Sequence, residues 1–283
     1  MERPRGLLEL TRPGNAVVAG ILTGIGAFVA GAGDVAALFV DTSPTVRAAA
    51  AVLATVFAVG AGNAINDYFD REIDRVNRPG RPIPRGAVSP RVALAFAVVL
   101  FLVATGLALV LPALAVGIAA FNLAALVAYT ELFKGLPGVG NVVVAYLGGS
   151  TFLFGGAAVG GALGPVVVLA ALAALATFAR EVVKDVEDIA GDREEGLSTL
   201  PIAVGEQTAL RVAAGALVAG VLASPAPYLL AGFGPAYLVA VAVADVVMLA
   251  AGYRSFADAS RGQAWLKYGQ LLAAGAFVLG RIA

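Results

Sequence analysis

The chain has 283 residues, of which 60% are hydrophobic and 13% charged, with no cysteine, no histidine and a formal charge of zero. A mean hydropathy of +0.89 excludes an ordinary soluble domain and points to an all-α, polytopic membrane helix bundle. The missing thiols and imidazoles exclude disulfides, cysteine nucleophiles and the usual zinc, copper and haem sites, so any bound metal must take oxygen ligands.

In chain order, a short basic segment beginning Met1-Glu-Arg-Pro-Arg5 precedes the first apolar run. With no small-residue cleavage site behind a short apolar core, it reads as a retained helix on the inner interface. Apolar stretches follow near 14–33, 46–66, 91–111, 113–130, 140–160, 163–183, 207–223, 234–252 and 264–282. Each is close to the roughly 20 residues a membrane-crossing helix needs, which gives about nine spans. A broken helix at Ser224-Pro-Ala-Pro-Tyr228 would change the count to eight or ten. With a cytoplasmic N-terminus, seventeen of the 19 lysines and arginines fall on the inner face, leaving Arg47 and Arg281 opposite. The active-site loops then face the cytoplasm, the location is the cell membrane, and nucleic acid is not an expected partner.

Two acidic clusters share one spacing. Asn63, Asp67, Asp70 and Asp74 fall at steps of four, three and four, and Glu181, Asp185, Asp188 and Asp192 repeat those steps. On a helix such steps place the side chains on one face, and like charges there repel, so something positive is expected against each row. Each cluster sits at the inner end of a span and runs into a polar connection, which suggests a four-helix pseudo-repeat within a single domain over 1–283. The first motif and its loop occupy 66–90, the second 181–208. Structural ion pairing with neighbours such as Arg71, Arg75 and Lys184 is the rival reading of both rows.

Magnesium suits these ligands, because it favours carboxylates and phosphate oxygens and needs no all-protein cage. Two such ions between facing rows would neutralise a diphosphate and make it a leaving group. Lys134, Lys184, Arg78, Arg81 and Arg85 are candidates to grip the remaining phosphate oxygens. The loop 77–86 carries Pro79, Pro82 and Pro84 and is not helical throughout. It reads either as a stiff, extended lid or as a rigid connector at the lipid headgroups. A diphosphate lost inside a membrane implies a prenyl-type donor, an apolar groove and exclusion of water. Tyr68, Tyr129, Tyr146, Phe152 and Phe154 are candidates to stabilise an allylic cation, or are packing residues. Asn15 and Asn122 lie inside apolar segments, where interhelical hydrogen bonding competes with function. Asp245 lines an acceptor pocket or pairs with Arg254. Gly156-x-x-x-Gly160 has the spacing for close helix packing, and no Gly-x-x-x-x-Gly-Lys element supports nucleotide hydrolysis.

Three elements together resemble the UbiA superfamily of intramembrane prenyltransferases: Asn66-Asp-x-x-Asp70-x-x-x-Asp74, Asn77-x-Pro79-x-Arg81-Pro82-Ile-Pro84-x-Gly86, and Asp188-x-x-x-Asp192 ahead of Gly196-Leu-Ser-Thr199. The resemblance implies nine helices around a central cavity that opens sideways to lipid, with both motifs binding diphosphate through magnesium. It implies Asp67, Asp70, Asp74, Asp188 and Asp192 as catalytic residues, with Asn66 and Asp185 joining them around the metal. Thr11-Arg-Pro-Gly-Asn15, Asn63-x-x-Asn66-Asp67 and Glu181-x-x-Lys184-Asp185 resemble the archaeal branch that builds ether lipids. In many members with aromatic acceptors a tyrosine stands where this chain has Lys184. The branch implies geranylgeranyl diphosphate as donor and geranylgeranylglyceryl phosphate as acceptor, with Arg12, Arg71, Asn15 and Asn63 added to the substrate-binding set. An aromatic acceptor of quinone biosynthesis, such as 4-hydroxybenzoate or a naphthoate, is the alternative. A cation-coupled transporter is a further one, disfavoured because both clusters sit at one membrane face rather than at the midplane.

Overall fold

A computed structural model describes residues 2–31, 42–133 and 135–282, and all regular structure among them is helical. A short helix, α1 (Glu2–Leu10), precedes α2 (Pro13–Gly31), α3 (Thr42–Phe69), the short α4 (Arg71–Asn77), α5 (Pro90–Leu109) and α6 (Ala113–Ala128). A π-helical turn (Tyr129–Phe133) closes α6. There follow α7 (Val139–Val159), α8 (Leu163–Glu194), α9 (Leu200–Val204), α10 (Glu206–Ala223), α11 (Ala226–Leu230), α12 (Ala236–Ser255) and α13 (Ala259–Ile282).

The nine longer helices coincide with the nine apolar stretches. Seven segments are long and apolar enough to cross a membrane, with α10 and α11 counted as one continuous segment, Glu206–Leu230. The 16-residue α6 is shorter, and α13, which carries Arg261, Lys267 and Arg281, is not among the seven. The chain is a multi-pass membrane protein.

Leucines and valines cover the outer surface. Leu102, Leu222, Leu230 and Val239 are all more than 60% exposed, as suits helices solvated by hydrocarbon. Lipid offers little hydrophobic incentive for helices to associate, so close backbone packing must hold the bundle. Here α2 packs on α3 and α7, α7 on α8, α8 on α10, and α12 along α13. Between α2 and α7 the contact is backbone to backbone: a Cβ on Gly26 would run into Phe152 and one on Gly155 into Thr23. The expected Gly156/Gly160 pair divides differently. Gly156 faces Val166, whereas Gly160 has open space around it and ends α7 in the left-handed region at φ 70°, where glycine alone is unstrained. Thr23 and Thr55 add an interhelical hydroxyl hydrogen bond of 2.9 Å.

Among the described residues, the connections after the π turn and after α8 meet. Ser198 donates its amide to the Gly135 carbonyl, joining the segment after the π turn to the segment after α8. Leu10 of α1 is fully buried in a cluster with Ala64 of α3, Ile83, Val88 and Ala93. That packing corrects the expectation of an extended lid over 77–86. The segment folds into successive turns, with Arg81, Arg85, Gly86 and Val88 donating amides to Arg78, Arg81, Ile83 and Pro82. Proline fixes φ near the value such turns require, and Ile83 and Val88 pin the turns into the cluster at 8% and 1% exposure.

Candidate active site

The two acidic rows sit on different scaffolds. Asp185, Asp188 and Asp192 ride on α8, which continues unbroken to Glu194 instead of ending at the apolar boundary near 183. The first row straddles a break: Asp67 belongs to the last turn of α3, Asp70 occupies the junction at φ −78° and ψ 1°, and Asp74 lies in α4. Asp70 and Asp74 still donate their amides to Asn66 and Asp70 at 2.8 and 2.9 Å, so the helical register survives the break. All three carboxylates of the first motif therefore keep to one side despite the change of helix.

Residues of both rows act on Tyr129. Tyr129, at the start of the π turn, feels the charges of Glu181, Asp185 and Asp192 on α8 and of Asp70 at the α3–α4 junction. π-Helical insertions recur at functional sites because they shift a side chain out of the regular helical register. Tyr129 was legible in the sequence only as one aromatic among several.

Each row has its own partners. Asp67 and Asp74 are both 4% exposed. Arg81 bridges them at 3.2 and 2.5 Å, and Arg12 reaches Asp67 at 2.6 Å. Within the second row Asp185 accepts a hydrogen bond from Asn141 Nδ2 at 2.7 Å, and Asp192 one from Thr199 Oγ1 at 3.0 Å. Lys184 is 3.7 Å from Glu181, and Arg180 pairs with the same carboxylate at 2.8 Å. Asn141 is 6% exposed and escaped the sequence reading. It is uncharged and stands 44 residues from its partner, so only its place in the first turn of α7, next to a run of glycines, hinted at a constrained position.

Other predicted residues fall outside this core. Arg85 pairs with Glu9 at 2.6 Å and also donates to the Gly80 carbonyl, fixing α1 to the turn segment rather than facing the acidic rows. These contacts, with a further one to Arg5, hold the Glu9 carboxyl below its ordinary value. Arg71 covers the Tyr68 ring at 4.8 Å and donates to the Tyr68 carbonyl. Asn63 Nδ2 donates to the Thr11 carbonyl at 3.0 Å, so it positions the α1–α2 elbow. Arg78 and Asn15 are exposed, and Lys134 lies outside the described residues. Phe152 and Phe154 are helix-packing residues, 1% and 6% exposed, and Tyr146 packs edge-on against Phe121. Asp245 accepts from Ser224 Oγ at 2.7 Å rather than pairing with Arg254, which lies over Trp265.

Two apolar spaces adjoin the acidic end. One, of about 320 Å³, lies between α3, α5 and α6 and is lined by Asn66, Phe69, Phe101 and Leu126. The other, of about 120 Å³, runs between α2, α7, α8, α10, α12 and α13, with Thr177 at one edge, a single helical turn before Glu181, and Phe152, Asp245 and Phe277 deeper in. Among the described residues no three acidic side chains stand close enough to hold a metal ion unaided. The donors present are carboxylate and amide oxygens, and one or two carboxylates per ion with phosphate and water completing the shell is how magnesium is usually held.

Comparison with known proteins agrees with this architecture. A protein of Natronomonas pharaonis named digeranylgeranylglyceryl phosphate synthase is 65% identical over 283 residues, covering 100% of this chain and 99% of the relative. A solved structure described as giving insights into the biosynthesis of digeranylgeranylglyceryl phosphate synthase in membranes superposes with a TM-score of 0.80 at 34% identity, covering 100% of this chain and 99% of that one. A UbiA homologue of Archaeoglobus fulgidus, solved with GPP and Mg2+, shares the fold with a TM-score of 0.71 at 18% identity over 97% of this chain and 98% of its own. Residues 17–277 match the UbiA prenyltransferase family, and the chain belongs to that family.

Proposed function

We propose that the protein transfers a geranylgeranyl group from its diphosphate to the free hydroxyl of geranylgeranylglyceryl phosphate, forming an ether lipid precursor. What supports the reading is that residues of both acidic rows act on Tyr129, on a chain whose 65%-identical relative bears the name of that synthase. In the reaction the allylic carbon–oxygen bond to diphosphate breaks, the acceptor oxygen bonds to that carbon, and the hydroxyl proton is released with the diphosphate.

Asp67, Asp70 and Asp74, with the Asn66 amide, would hold one magnesium ion, and Asp185, Asp188 and Asp192 a second. Bound there, the ions neutralise the diphosphate and so make it a leaving group. Arg81 and Lys184 stand beside the rows and are suited to the remaining phosphate oxygens. Buried Asn141 and Thr199 orient carboxylates of the second row. The Tyr129 ring is suited to stabilise a developing allylic cation through its aromatic face. The apolar spaces flanking the rows suit isoprenoid chains and keep water from the cation. By the positive-inside rule this end would face the cytoplasm, and residues 1–283 would act as one domain.

The test is product mass. Purified protein in detergent, given geranylgeranyl diphosphate, geranylgeranylglyceryl phosphate and magnesium, should yield the doubly prenylated glyceryl phosphate and lose that product on chelation. Turnover of 4-hydroxybenzoate or a naphthoate with none of the glycerol lipid would move the assignment to quinone biosynthesis. Solute transport by vesicles without prenyl transfer would overturn it.

A further inference from the structure

One oxygen of the first motif serves two cations. Asp67 Oδ1 accepts from Arg12 Nη2 at 2.6 Å and lies 3.2 Å from Arg81 Nη1. The two arginines are held unequally. Arg81 also pairs with Asp74, and its side chain is 17% exposed, whereas that of Arg12 is 37% exposed. Arg12 also has a backbone φ of 46°, the only positive φ outside glycine among the described residues. A long side chain is disfavoured in this region, and such strain is kept where surrounding contacts enforce it. Those contacts are visible: Asn63 grips the Thr11 carbonyl and Asp67 grips the guanidinium. A glycine at the elbow would relieve the strain, so the arginine is not there for the turn.

We propose that Arg12 binds the phosphate of the lipid acceptor and is held in reserve against Asp67 until that phosphate arrives, so that acceptor binding and metal loading of Asp67 are coupled. The proposal rests on the functional reading above and adds to it the residue that recognises the acceptor and the order this imposes. A buried carboxylate must stay compensated, because stripping one partner from such a pair is costly. If Asp67 is to give Oδ1 to a divalent ion, one guanidinium has to withdraw. Arg12 is the one whose guanidinium has a single contact to the motif and whose side chain is 37% exposed, and it sits at the start of α2, the end of a helix that favours anions. A phosphomonoester offers the guanidinium a forked contact in place of the single one it gives up, and the ion replaces the lost positive charge at Asp67. By linkage each ligand then tightens the other by the same factor.

Calorimetry on the whole protein in detergent tests this, with magnesium titrated in the presence of a non-reactive thiolodiphosphate analogue of the donor, with and without geranylgeranylglyceryl phosphate. The acceptor should tighten magnesium binding about tenfold in the unaltered protein. Arg12→Gly, which suits the positive φ, should bind magnesium without acceptor as tightly as the unaltered protein does with it. It should show no further gain on adding acceptor and should bind the acceptor at least about tenfold more weakly. Arg12→Lys keeps the charge without the fork and should fall between the two, which gives a reading even if the glycine variant is unstable. Unchanged acceptor affinity and unchanged coupling in the variants would overturn the proposal. Absence of magnesium-dependent analogue binding in the unaltered protein would instead overturn the functional reading on which it rests.

Discussion

Asn141→Ala removes one donor from one carboxylate and little else. The amide is 6% exposed, and its Nδ2 lies 2.7 Å from Asp185 Oδ2, a charge-assisted bond in a partly buried setting. Such bonds contribute about 1.5–3 kcal/mol. With tenfold per roughly 1.4 kcal/mol, loss of the bond should weaken the second row's hold on its ion by about 10- to 150-fold. Turnover measured against magnesium concentration should shift by that factor, while thermal unfolding in detergent moves only a few degrees. Asn141→Leu, similar in size but without the donor, should behave alike. A folded Asn141→Ala protein with unaltered magnesium dependence would refute the assignment of Asn141 as the residue that orients Asp185.

Three other outcomes follow from named contacts. Arg81→Ala leaves Asp67 and Asp74 buried with less compensation and should cost about 3–5 kcal/mol, measured as a fall in unfolding temperature that millimolar magnesium partly restores. Gly155→Val drives a side chain into the Thr23 backbone and should abolish the monodisperse peak in size-exclusion chromatography, whereas Gly160→Ala, strained only by its φ of 70°, should keep it. The lowered Glu9 carboxyl gives a pH prediction. Its folded value lies below its unfolded one because of Arg85 and Arg5, so its contribution is full above the ordinary carboxylate range and is lost as pH falls through the lowered value. Hydrogen-exchange protection over α1, taken relative to the intrinsic rate at each pH, should fall on acidification, and Glu9→Gln should remove that fall.

The apolar stretches located the long helices because lipid-facing and packed residues are alike apolar, and the matched intervals located both acidic rows. The break at Asp70 was hidden, since Asn66-Asp-Tyr-Phe-Asp70 contains neither proline nor glycine and its hydrogen bonds persist across the junction. The extension of α8 to Glu194 was hidden for the opposite reason: polarity ended the apolar run near 183, but helicity does not depend on it. Prolines in 77–86 ruled out a helix and yet did not tell an extended strap from stacked turns, which the burial of Ile83 and Val88 decided. Arg12, Asn141 and Tyr129 reach their partners across 55, 44 and more than 50 positions respectively. No local pattern carries contacts of that range.

The account depends most on both aspartate rows serving one diphosphate. Calorimetric titration of the thiolodiphosphate donor analogue into purified protein, with and without magnesium, tests this directly when repeated on Asp70→Ala and Asp188→Ala. Uptake should require magnesium and should vanish in either variant while both remain folded. Donor uptake independent of magnesium, or full uptake after loss of one row, would contradict it.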